Sequence, residues 1–141
     1  MNMGTTLRPV LSEQNKYWIE KHRYYELKHF CLQYPIWKKA YVSLDGLSKR
    51  PINLAMFAAT NSHSDPTAKC AMAKAFYAER MEMVESTAWE TDPELLSYIL
   101  KGVTEGVSYS HLKARLNIPC CKDTYYDRYR RFFWLLNKVR Q

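Results

Sequence analysis

Residues 106–140 read GVSYSHLKARLNIPCCKDTYYDRYRRFFWLLNKVR, and their apolar spacing decides the fold class. Gly106 stops one helix, and Ser108 is suited to cap a short one over Tyr109 to Asn117, in which Leu112 and Leu116 lie four residues apart on one face. Ile118 and Pro119 make a turn. A longer helix then begins near Cys121 or Lys122 and runs toward Arg140. Its expected buried stripe is Tyr125, Tyr129, Phe132, Leu136 and Val139, at alternating four- and three-residue steps. Phe133 and Trp134 fall off that stripe and look too exposed to be idle, so they are expected either to pack on the first two helices or to make a protein contact. Helix, glycine-containing turn, short helix, tight turn and long basic helix are the plan of a helix-turn-helix.

Upstream the periodicity stays helical, so the fold class is all-α, a compact domain of about six helices. Lys16 to Tyr34 reads as a first helix with Tyr17, Tyr24, Leu27, Cys31 and Tyr34 on one stripe, and His22 and His29 as partly buried polar groups. Pro35 ends it and opens a second helix that Asp45-Gly46 closes. Leu47 to Ser64 reads as mostly irregular, with a helical turn around Leu54 to Ala58. Ser64 or Asp65 then caps an Ala-rich third helix that runs from Pro66 to about Trp89. Along it Cys70, Ala73, Tyr77, Met81, Val84 and Ala88 form a heptad-spaced seam, expected to pack within the chain rather than as a zipper. Asp92 or Thr91 caps a fourth helix opened by Pro93, with Leu95, Leu96, Ile99, Leu100 and Val103 apolar. Residues 1–92 form an N-terminal helical region and 93–141 the helix-turn-helix, expected to pack as one compact unit.

Composition narrows the function. At 141 residues with 47% hydrophobic content, the chain is long enough for one core. Its apolar runs fall short of the roughly 18 residues a membrane span needs, and MNMGTTLRPVLSEQNK resembles neither a secretory signal nor a transit peptide. A cytoplasmic location, in a bacterial host, is expected. Cys31, Cys70, Cys120 and Cys121 then read as free thiols. Neither a structural metal nor a cofactor is expected. Metal-ligand pairs on one turn are missing, so a site joining these thiols to His63 or His111 is disfavoured. The four histidines have no nucleophile or carboxylate partner at helical spacing, and no glycine-rich loop is suited to phosphate. These absences point away from catalysis.

Charge is distributed unevenly. Residues 1–75 carry 11 basic and 5 acidic side chains, residues 76–100 carry 1 and 6, and residues 101–141 carry 9 and 3, the densest positive excess. A basic excess gathered on one segment is the electrostatic footprint of a phosphate-backbone binder. With Tyr125 and Tyr129 turned inward, Lys122, Tyr126 and Arg130 share another face near the start of the last helix, flanked by Arg128 and Arg131. Side chains so placed on a recognition helix meet base edges in the major groove. Lys113 and Arg115 on the preceding helix are positioned for phosphate contacts that set register. The expected partner is double-stranded DNA, with no membrane.

The quoted stretch resembles region four of bacterial sigma factors, and more closely the phage and prophage transcriptional regulators of the RinA and ArpU type, which end in a sigma-like helix-turn-helix with an aromatic, basic last helix. SDPTAKCAMAKAF, residues 64–76, is similar to the Asp-Pro-Thr that opens the middle helix of the RinA-like group. The resemblance spans roughly residues 64–141. It implies a sequence-specific regulator of phage or prophage genes, with DNA-facing roles for Lys122, Asp123, Thr124, Tyr126 and Arg130. Pro119-Cys120-Cys121 departs from the small polar run usual in those turns.

A different class of function is also compatible with the composition: an adaptor or inhibitor that binds a host protein complex, such as RNA polymerase or a nuclease, through exposed aromatics. Aromatic residues make up 14% of the chain, 11 of them tyrosines, and tyrosine and tryptophan are favoured interface anchors. The chain is expected to be a monomer or a weak dimer.

Overall fold

The computed structural model describes residues 13–49 and 66–140, and every described element is helical. Helix α1 spans Lys21–Leu32. It starts five residues later than the apolar stripe suggests, because local polar contacts turn the chain first. The Asn15 side chain accepts from the Tyr17 amide at 2.8 Å, and the Glu20 carboxylate caps α1 by accepting from the amides of His22 and Arg23. Tyr17 is therefore buried from outside the helix. His22 and His29 are exposed rather than partly buried, since α1 turns Tyr24, Leu27, Phe30 and Cys31 inward.

Helix α2, Tyr34–Lys49, runs straight through Asp45-Gly46, which does not close it. A lone glycine costs a helix only about 1 kcal/mol. Here the surrounding turn is held by Lys74, which pairs with Asp45 at 2.9 Å, and by the Cys70 thiol, which donates to the Leu44 carbonyl at 3.6 Å. Leu47, Ser48 and Lys49 are thus helical. The remainder of the irregular stretch, with the turn expected around Leu54 to Ala58 and the Ser64 or Asp65 cap, lies outside the described residues.

Helix α3, Pro66–Thr91, carries the seam, and its last turns bury Val84, Thr87, Ala88 and Thr91. The two threonine hydroxyls are satisfied within the helix, donating to the Met83 and Thr87 carbonyls at 2.7 Å. Asp92 then caps a single 3-10 turn, Pro93–Leu95, which leads into α4, Leu96–Glu105. Gly106 ends α4 at φ +71°, a left-handed conformation that glycine adopts without penalty. Helix α5 spans Tyr109–Leu116 and α6 spans Lys122–Val139. No helix among the described residues is long and apolar enough to cross a membrane.

The chain divides into two compact units: one joins the residues up to Gln33 with those from Met83 onward, and the other runs from Tyr34 to Glu82. In the first unit α1, α4 and α6 pack on one another, and α5 packs on α4 and α6. The core is Tyr24, Leu27 and Phe30 from α1, Ile99 and Val103 from α4, Leu112 from α5, and Tyr125, Phe132, Phe133 and Leu136 from α6. Phe133 takes the first of its two expected roles by packing on α1, and Val139 departs from the expected buried stripe. Phe133 is fully buried, with its edge against Tyr24 at 5.2 Å between ring centres, whereas Val139 is 54% exposed. Two helices, α1 and α4, cover α6, so its apolar face is broader than one stripe. Val139, in the final turn, projects past that cover. Leu116 is likewise exposed, and Leu112 alone anchors α5 through the core.

Candidate nucleic-acid interface

Two close fits set the position of α6. Tyr125 lies against Gly102 of α4 so tightly that a Cβ at residue 102 would sit 2.0 Å from the tyrosine oxygen. Glycine is therefore required there for packing. The Tyr129 hydroxyl meets that of Tyr24 at 2.8 Å, and burial pushes both phenols above their ordinary range. Tyr125 is also pushed up by burial, and its hydroxyl has no hydrogen-bond partner among the described residues.

The link between α5 and α6 is held as firmly. Ser108 caps α5 by accepting from the His111 amide at 3.2 Å. Asn117 takes the left-handed conformation at φ 51°, which asparagine tolerates better than most residues, and turns the chain so that Ile118 is buried. The Tyr109 hydroxyl donates to the Cys120 carbonyl at 2.6 Å, and the Tyr109 amide donates to the Tyr126 hydroxyl at 3.3 Å. Lys113 donates to the Ile118 carbonyl at 3.5 Å. Sequence reading missed Tyr109, Gly102 and Ile118 as positioning groups; the small residue at 102 and the tyrosine directly after a cap were the available signals.

The nine basic, polar and acidic side chains expected to face DNA separate into two groups. Lys113, Arg115, Lys122 and Asp123 are exposed around the α5–α6 turn. Among the described residues no carboxylate pairs with Lys113, Arg115 or Lys122. Thr124 and Tyr126 are half-buried, Thr124 in contact with the Cys121 sulfur at 3.2 Å and Tyr126 among the rings of Tyr109, Tyr125 and Tyr129. Tyr126 thus reaches the rim with its hydroxyl already engaged.

Arg128 and Arg131, further along α6, are tied into the fold. Arg128 donates to Asp92 at 3.1 Å and pairs with Asp127 at 2.5 Å, and the hydrogen bond to Asp92 chiefly raises its already high pKa. Asp92 therefore holds both the 3-10 turn before α4 and the middle of α6. Arg131 donates to the Tyr17 hydroxyl at 3.5 Å. Arg130 is half-buried, with its Nε enclosed and unpartnered among the described residues. Trp134 stacks at a tilt on Tyr17 with ring centres 5.5 Å apart, under the Lys138 ammonium at 3.5 Å. The charge map alone carried no sign of these partners, because Asp92 and Tyr17 are remote in sequence.

The two thiols at the turn differ. Cys121, exposed at the start of α6, is lowered by the Thr124 hydroxyl and by first-turn amides, whereas burial raises Cys120. All four cysteines are free. Among the described residues no group of histidine, cysteine and carboxylate side chains is arranged to hold a metal ion. Comparison with family models, with curated proteins and with solved structures returns no match for the chain.

Proposed function

We propose that α5, the Asn117–Cys121 turn and α6 act as a helix-turn-helix that binds duplex DNA, with the first turns of α6 in the major groove. One observation carries this reading: Lys113, Arg115 and Lys122 are exposed on the two sides of the turn, while further along α6 Phe133 packs on Tyr24 and Trp134 on Tyr17. A rigid helix with a cationic leading end meets the two requirements of groove docking, phosphate neutralisation and fixed orientation. Lys122, with Asp123 beside it, is the group nearest to base edges, and the half-buried Thr124, Tyr126 and Arg130 lie behind it as packing groups. Lys113 and Arg115 hold the phosphate backbone. Arg128 and Arg131 act by holding α6 in place.

The biological role consistent with this activity is regulation of phage or prophage transcription in a bacterial cytoplasm, and it rests on the resemblance of residues 106–140 to RinA- and ArpU-type regulators. The test is selection from a random duplex library at low salt, followed by fluorescence anisotropy. Each lost phosphate contact should reduce the log-affinity against log-salt slope by about 0.9, so Lys113→Ala and Arg115→Ala weaken all sequences alike. Lys122→Ala should relax sequence preference. Binding that is absent, or insensitive to salt, overturns the reading.

A second reading, a protein partner held by aromatic anchors, is favoured by Trp89, which is 58% exposed on α3. Salt-insensitive capture lost in Trp89→Ala would select it.

A further inference from the structure

The outward face of the first half of α3 is apolar and exposed among the described residues. Ala68, Met72 and Ala75 lie along one line of the helix, with Ala71 and Phe76 beside it, and all five are exposed, Met72 at 72%. Phe76 stays 46% exposed although the Arg80 guanidinium lies 3.4 Å from its ring centre. An exposed apolar strip of this kind marks a contact surface. Its charges say which contact. Lys69 stands exposed at the N-terminal end, and Glu79 and Glu82 at the other.

We propose that this face binds the same face of a second copy of the chain, with the two α3 helices antiparallel. A two-fold axis near Lys74 brings Lys69 beside Glu79 of the second copy twice over, and sets Met72 among the alanines and Phe76 of the facing helix. The parallel arrangement places Lys69 on Lys69 and the glutamates on one another, which like-charge repulsion disfavours. The alanines let the two backbones approach closely, and methionine against an aromatic ring is a favourable contact. Opposed helix dipoles add to the same preference. An isologous contact of this kind closes on itself and gives a dimer rather than a fibre. The strip covers only about three turns of helix, below the size of stable interfaces, so association is weak and reversible. Association through this face does not require DNA.

Sedimentation equilibrium of the full chain tests it. The average mass should rise from 16.7 kDa toward twice that value between low and high micromolar concentration. Met72→Glu, at an exposed position, should hold the mass at the monomer value with unchanged helical circular dichroism. Lys69→Glu and Glu79→Lys should each weaken the dimer severalfold, and the two together should restore it. A wild type that stays monomeric, a dimer indifferent to Met72→Glu, or charge swaps that fail to restore association would each overturn the proposal.

Discussion

The first turn of α6 and the four turns behind it are made of similar residues and behave as different materials. Lys122 and Asp123 stand in solvent, whereas Tyr125, Phe132, Phe133 and Leu136 are sealed against α1 and α4. The basic residues follow the same division, with Lys122 exposed and Arg128 held by Asp92 and Asp127. A basic amphipathic helix is thus not uniformly available to a ligand. Its cations near an acidic neighbour or a buried ring belong to the fold.

That division predicts which substitutions act on stability and which on binding. The largest effect on folding should come from Phe133→Ala, about 3–5 kcal/mol in urea denaturation, as for other buried phenylalanines. Lys122→Ala should stay within about 0.5 kcal/mol of wild type. Equal effects at the two positions would erase the distinction between the two parts of the helix.

Next in size is Gly102→Ala, which drives a methyl into the Tyr125 hydroxyl and should cost about 1–3 kcal/mol as an overpacked site. Adding Tyr125→Phe removes the obstructing oxygen, which has no hydrogen-bond partner among the described residues. The double variant should therefore recover most of the loss, and Tyr125→Phe alone should be close to neutral. A double variant no more stable than Gly102→Ala would show that the close fit is set elsewhere.

Asp92→Ala removes the carboxylate cap that accepts from the Glu94 amide, together with the partner of Arg128. About 1–2 kcal/mol of stability should be lost, most of it from the cap, because a half-exposed ion pair contributes little. Arg128→Ala should lower stability by less, and should leave the salt slope of DNA binding unchanged. A slope reduced by a full contact would return Arg128 to the binding surface.

The smallest effect concerns alkaline pH. Tyr24 and Tyr129 have pKa values raised by burial above the ordinary 10.0, so the folded chain retains protons that the unfolded chain releases. Stability is then fully present below pH 10 and is lost as pH rises toward the folded-state values. Ultraviolet titration of phenolate should coincide with loss of helix, and Tyr129→Phe should make the decline shallower. Phenols that ionise without unfolding would show that the Tyr24–Tyr129 pair is open to solvent.

The sequence by itself determined the helical class and most of the boundaries in the C-terminal third. Local chemistry sets those features: Ser108 caps α5, Asp92 and Pro93 open the turn before α4, and Gly106 and Asn117 end helices in the left-handed conformation. Sequence also located the basic leading end of α6, because a three-to-four-residue period assigns inward and outward faces. Tertiary structure decided what depends on neighbours remote in the chain. Phe133 became core because α1 lies beside it, Gly46 stayed helical in a turn held by Lys74 and Cys70, and Arg128 left the exposed set for Asp92, 36 residues upstream. Periodicity counts the faces of a helix, but only packing says how many of them are covered.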